Sequence, residues 1–121
     1  MSLYGDTKIE DVKLEQLGQI DWSSGSYEFD YTTVWRYEVE GDQSDPDRDV
    51  KWKYVWAEDA GCSCPEPYES IGELSQLTDL TNLNDFHAHL VERNGRPRGG
   101  SYDRSMDIVR LIEKLHELGV R

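Results

Sequence analysis

The sequence predicts an α+β fold, a three-stranded antiparallel meander with two C-terminal helices packed on its aromatic face. Three observations predict it. Residues alternate with period two from Tyr27 to Glu40 and again from Val50 to Ala57. The apolar spacing then switches to the helical period beyond residue 81. Clusters of Gly, Pro, Asp and Ser separate these segments, and such clusters mark turns.

The first long strand carries Tyr27, Phe29, Tyr31, Thr33, Trp35, Tyr37 and Val39 at odd positions. Glu28, Asp30, Thr32, Val34, Arg36, Glu38 and Glu40 take the even ones. Side chains of a strand alternate between faces, and β-branched and aromatic residues favour it, so the pattern reads as a half-buried strand. The second has Val50, Trp52, Tyr54 and Trp56 against Lys51, Lys53, Val55 and Ala57. A hairpin that brings all the aromatics to one face places Tyr37 opposite Tyr54 and Trp35 opposite Trp56. The same register sets Glu38 against Lys53 and Glu40 against Lys51, a favourable arrangement on a solvent face. The polar stretch 41–49 connects the two strands.

Upstream, Ile9, Val12 and Leu17 suit a short helix, whereas Val12 and Leu14 alternate with charged neighbours. A preceding strand is favoured because two strands alone are marginal in water. Residues 21–26 read as the turn into the hairpin. Thr81 or Asn82 caps a helix with apolar positions Leu83, Phe86, Leu90 and Val91, which ends near Asn94 and Gly95. A second helix follows from Met106, Ile108, Leu111, Ile112, Leu115 and Leu118, with Asp103 at its start and Gly119 as its stop. The 121 residues suit one domain, 1–121. Residues 11–69 supply the sheet and a cysteine-containing turn, and 81–119 the helical part.

Acids outnumber bases 25 to 13, a net charge of −12. Such a field disfavours direct contact with nucleic acid or anionic lipid. No apolar run approaches the 18 or so residues of a membrane span, and no export signal opens the chain, so a cytoplasmic location is expected. Residues 1–90 carry 6 bases and 20 acids, net −14, whereas residues 91–121 carry 7 bases and 5 acids, net +2. An exposed strand edge, or these oppositely charged halves, would support a homodimer.

Chemistry concentrates in 56–69, where Cys62 and Cys64 follow a strand and two prolines stiffen the backbone. The favoured reading is two reduced thiols in a rigid turn, since a cytosolic pool keeps thiols reduced. Zinc is the rival, with Cys62, Cys64 and His87 as ligands. It asks for a fourth ligand and departs from the C-x₂₋₄-C spacing of ordinary zinc modules. His87 and His89 lie two apart on a helix and so point to nearly opposite sides. Glu58 and Asp59 would serve acid–base chemistry only if one were desolvated, and solvated strand-end charges are the default. Arg93, Arg96 and Arg98 read as a connector more than as a phosphate grip. No P-loop, G-x-S-x-G or H-E-x-x-H pattern occurs, and no catalytic residue is assigned.

The segments Tyr27-Glu28-Phe29-Asp30, Trp35-Arg36 and Trp56-Ala57-x-Asp59-x-Gly61-Cys62-Ser63-Cys64-Pro65-x-Pro67-Tyr68-Glu69 resemble a family of small uncharacterised proteins encoded by actinobacterial phages. The resemblance covers roughly residues 11–90, and its specific part is the Gly-Cys-Ser-Cys-Pro-x-Pro core. Position 68 is more often Phe in that pattern, and the connection at 41–49 is longer here. The resemblance implies a phage origin and expression inside a bacterial host, and carries no activity or catalytic residue. Together these readings point to a non-enzymatic acidic protein that binds and modulates a host or phage protein. Its candidate surface comprises Asp45, Asp47, Asp59, Glu66, Tyr68 and Glu69, and no cofactor is expected unless zinc sits on the cysteines. A DNA mimic, whose carboxylates stand in for phosphates, is the alternative binding module.

Overall fold

A computed structural model describes residue 9 and residues 12–23, 28–39, 51–62, 68, 71–95 and 103–121. Its strands are β1 (Glu15–Asp21), β2 (Glu28–Val39), β3 (Lys51–Cys62) and β4 (Thr78–Asp79), in one antiparallel sheet of order β1-β2-β3-β4. Two helices follow, α1 (Leu83–Asn94) and α2 (Ser105–Glu117). The sheet therefore has four strands, not the three expected from the sequence. The fourth is a two-residue strand pairing Asp79 with Val55 and Thr78 with Trp56, too short to leave a periodic signature.

The hairpin register differs from the expected one by a single residue, and the consequence is large. Tyr37 lies opposite Lys53, Trp35 opposite Val55, and Val34 opposite Trp56. A slip of one residue moves a whole side-chain set to the other face, so the aromatics divide between faces. Tyr54 and Trp56 join Val34 beneath the helices, in a core with Leu17, Ile20, Trp22, Phe86, Leu90, Leu111 and Leu115. Trp35 and Tyr37 join Val55 and Ala57 in a second core, covered by Leu74 and Leu77 and flanked by Ile9, Val12, Leu14, Tyr68 and Ile71. The helices thus pack on the face of Val34, Tyr54 and Trp56, and not on one uniting all the rings. The reason is that both faces are covered. Val34 and Val55, placed on the solvent side by the aromatic alternation, are 0% and 1% exposed.

A bulge explains the ambiguity of the first segment. The β1–β2 register shifts between Gln16 and Gly18, which inserts Leu17 as an extra residue. Leu17 and Ile20, three apart, therefore both reach the helix-side core, while Leu14 packs on the opposite one. A spacing of three within a strand imitates a helix. Gly18 faces α2 at close range: a Cβ there would lie 2.6 Å from Leu111 Cδ1.

The helices are placed by their caps. Asn82 accepts a hydrogen bond from the Asp85 amide at 3.1 Å, satisfying one of the unpaired first-turn donors. Gly119, at φ +93°, ends α2 in a conformation that glycine adopts without steric cost. Asn94 donates to Asp103 and accepts from the Arg104 amide, both at 2.8 Å, and at the other end the Leu83 amide donates to the Arg121 carbonyl at 3.1 Å. These contacts tie the helices into an antiparallel pair. Arg104 then donates to the carbonyls of Asp21 and Ser23, fixing the start of α2 to the end of β1. Among the described residues no helix is long and apolar enough to cross a membrane.

Candidate functional site

The most concentrated polar chemistry lies between the sheet and α1. Asp30 and Thr32 of β2 and Glu58 of β3 share the even parity that faces the helices, and Thr32 is paired directly opposite Glu58. On α1, Phe86, His89, Leu90 and Arg93 recur at spacings of three and four, which puts them along one side of the helix. Strand parity and helical phase therefore converge on one spot.

Glu58 is the hub. Its Oε2 accepts from the Thr32 hydroxyl and from Arg93 Nη1, and its Oε1 lies 3.0 Å from His89 Nε2. Arg93 also donates through Nη2 to Asp30 Oδ1, so one guanidinium joins two strands. Its plane stands 5.0 Å from the Trp22 ring centre, and the Trp22 indole N–H donates to the Thr32 hydroxyl at 2.8 Å. The His89 ring lies 5.1 Å from that of Trp56, which also meets Phe86 at 5.1 Å.

The electrostatics follow from partial burial. The Arg93 side chain is 16% exposed, and those of Glu58, Asp30 and His89 are 25%, 27% and 32% exposed. Burial alone pushes the Glu58 carboxyl up, but hydrogen bonds from Thr32 and Arg93, with the nearby Arg93 and His89 charges, more than offset it. Its pKa is lowered overall. Burial likewise pulls the Arg93 guanidinium down, and Asp30 and Glu58 hold it above its ordinary value. Both groups stay charged, each with a partner, and a carboxylate so held is a poor proton acceptor. His89 lines a recess of about 200 Å³ together with Trp56, Asp79 and Asp85.

The residues singled out by sequence occupy other places. Asp59 and Tyr68 meet, and both hold the fold: Asp59 Oδ2 accepts from the Tyr68 amide at 2.7 Å and Oδ1 from the Ala60 amide at 3.0 Å. On the face away from the helices the Tyr68 hydroxyl donates to Thr33 Oγ1 at 2.6 Å, and Thr33 donates to Gln19 Oε1 at 2.9 Å. Trp35 meets the Tyr68 ring edge-on at 5.0 Å. Tyr68 adopts φ +66°, which is strained for so large a residue, and these contacts hold it there. Burial, the largest cause, pushes the Tyr68 phenol up to about 12. Asp45, Asp47, Glu66, Glu69 and Cys64 lie outside the described residues. Cys62 closes β3 opposite Glu28, whereas His87 lines a groove between α1 and α2. Among the described residues no three His, Cys, Asp or Glu side chains gather to hold a metal ion.

Asp30, Thr32, His89, Arg93 and Trp22 were missed as a unit. The helical phase of His89 and Arg93 was readable, and so was the shared parity of Asp30, Thr32 and Glu58. The missing piece was the register, which sets the even face of β2 beside the even face of β3 under the helices.

Fold and site define a small α+β protein whose sheet is covered on both faces and whose charged cluster locks a helix to the strands. The chain belongs to the family described as Domain of unknown function (DUF7574), which matches residues 1–118. No curated protein and no solved structure matches it.

Proposed function

We propose that this chain is a non-enzymatic acidic protein, phage-encoded and acting in the cytoplasm of a bacterial host, that binds and modulates a host or phage protein. The observation that carries the reading is the apolar surface of the helical pair. Val91 is 54% exposed, Met106 63% and Val109 42%. Met106 and Val109 are one turn apart on α2, and Val91 lies near the end of α1 that the Asn94–Asp103 contact joins to the start of α2. Large apolar side chains gathered on a surface mark contact sites more often than singly scattered ones do. The acidic exterior of the rest of the chain supplies charge selectivity toward the partner.

Interaction is favoured over catalysis because the charged groups of the sheet–helix cluster are engaged with one another. It is favoured over DNA mimicry because Asp30, Glu58, Asp59 and Asp103 direct oxygens to internal donors and so do not form a free phosphate-like array. The test is affinity capture from the bacterial host with the intact chain and with the triple variant Val91→Asp, Met106→Asp, Val109→Asp. A protein retained by the first and lost by the second is the expected result. Equal recovery by both, or metal-dependent thiol activity requiring Cys62 and Cys64, would overturn the reading.

A further inference from the structure

The outer side of the helical pair holds a groove of about 320 Å³, a volume within the range of ligand-sized clefts. Leu83, Asn84 and His87 of α1 line it with Ile112, Glu113, His116 and Glu117 of α2. Val91, one turn beyond His87, and Val109, one turn before Ile112, prolong the apolar line at one end. The lining spans positions 83–87 of α1 and 112–117 of α2, between one and two turns of each helix.

We propose that this groove receives a basic amphipathic helix of a partner protein. The assignment rests on the interaction reading above and adds the place and the chemistry of the partner. An amphipathic helix presents apolar side chains at i, i+3 or i+4, and i+7, which suit the apolar Leu83 and Ile112 of the lining. Charge settles the rest. The groove is edged by two carboxylates with no Lys or Arg among its lining residues. Lysine or arginine side chains beside the apolar ridge would meet Glu113 and Glu117, while an acidic helix would be repelled by them.

The test uses the full chain labelled with ¹⁵N and an 18-residue probe helix with leucine along one face and lysine along the other. Two further probes keep the length: a scramble of the same composition, and a version with glutamate for lysine. Binding of the amphipathic basic probe should shift the amides of Leu83, His87, Ile112 and His116. Glu113→Lys should weaken it at least tenfold. Glu73→Lys makes the same charge change on the opposite side of the sheet and should weaken it less than twofold. Failure of the basic probe to bind, shifts confined to other surfaces, equal binding of the scramble, or equal effects of the two substitutions would each overturn the assignment. The outcomes separate from those of the interaction reading. A partner captured through Val91, Met106 and Val109 beside a groove indifferent to the probe would sink the groove and leave the reading standing. Probe binding in the groove with no partner captured would do the reverse.

Discussion

Thr32 and Thr33 are neighbours on β2, both fully buried, and they face opposite sides of the sheet. Each is the hub of a polar chain, and the two chains differ in kind. On the helix side Thr32 passes a hydrogen bond from the Trp22 indole to Glu58, where Arg93, Asp30 and His89 converge. On the other side Thr33 links the Tyr68 hydroxyl to the Gln19 amide oxygen without a charged group. A buried charge needs a partner of opposite sign and cannot lose it cheaply, whereas a neutral hydroxyl can turn to another acceptor. One sheet is therefore fastened by two systems with opposite tolerance to damage.

The largest break in that comparison is the loss of the cation. Arg93→Ala leaves the Glu58 and Asp30 carboxylates facing each other, and removes the guanidinium that spans two strands and packs on Trp22. We expect it to lower unfolding stability by about 3 kcal/mol, read from urea melts followed by tryptophan fluorescence. Arg93→Lys should recover less than half of that, because an ammonium cannot present two forked donors to two acids at once. A loss within about 0.5 kcal/mol for Arg93→Ala would mean that the cluster is a solvated surface pair.

A sharper test makes the same substitution on both hubs. Thr32→Val removes the hydroxyl that accepts from the Trp22 N–H and donates to Glu58, so its expected cost is about 2 kcal/mol. Thr33→Val leaves the Tyr68 hydroxyl with the carbonyls of Tyr31 and Ala57, each 3.3 Å away, and leaves Gln19 exposed to water. Its expected cost is below about 1 kcal/mol. Equal costs would show that charge on the helix side makes no difference.

The same contrast explains what the sequence disclosed. Alternation over residues 27–40 and 50–57 is long enough to announce a hairpin, and caps at Asn82 and Gly119 bracket helices whose apolar spacing is regular. Those features are local, and local pattern suffices for them. Register is not local. With both faces covered, Val34 and Trp35 are each good interior residues, and alternation cannot say which side receives the helices. That choice decides whether Asp30 and Thr32 face water or join Glu58 beneath α1, so the site was hidden by a one-residue ambiguity. Val91 and Met106 show the reverse limit. They are apolar positions of their helices yet are exposed, because helical phase turns them away from the buried Phe86 and Leu90 of α1 and Ile108 and Leu111 of α2.

The smallest effects appear only at the extremes of pH, and the two sides should respond at opposite ends. Glu58 has a folded pKa below that of the unfolded chain, so its contribution is present above the ordinary carboxylate range. It is lost as pH falls through that range toward the folded value. Tyr68 is shifted the other way: its phenol, raised to about 12, stabilises the fold below the ordinary tyrosine value near 10. That contribution disappears as pH rises from about 10 to about 12. Stability profiles of Glu58→Gln and Tyr68→Phe against the parent separate the two. Glu58→Gln should flatten the acid limb and leave the alkaline limb unchanged. Tyr68→Phe should flatten the alkaline limb alone and remove one late-ionising phenol from the absorbance titration at high pH. If either variant flattens both limbs, the two polar chains communicate through β2, and Thr32 and Thr33 belong to one network and not to two.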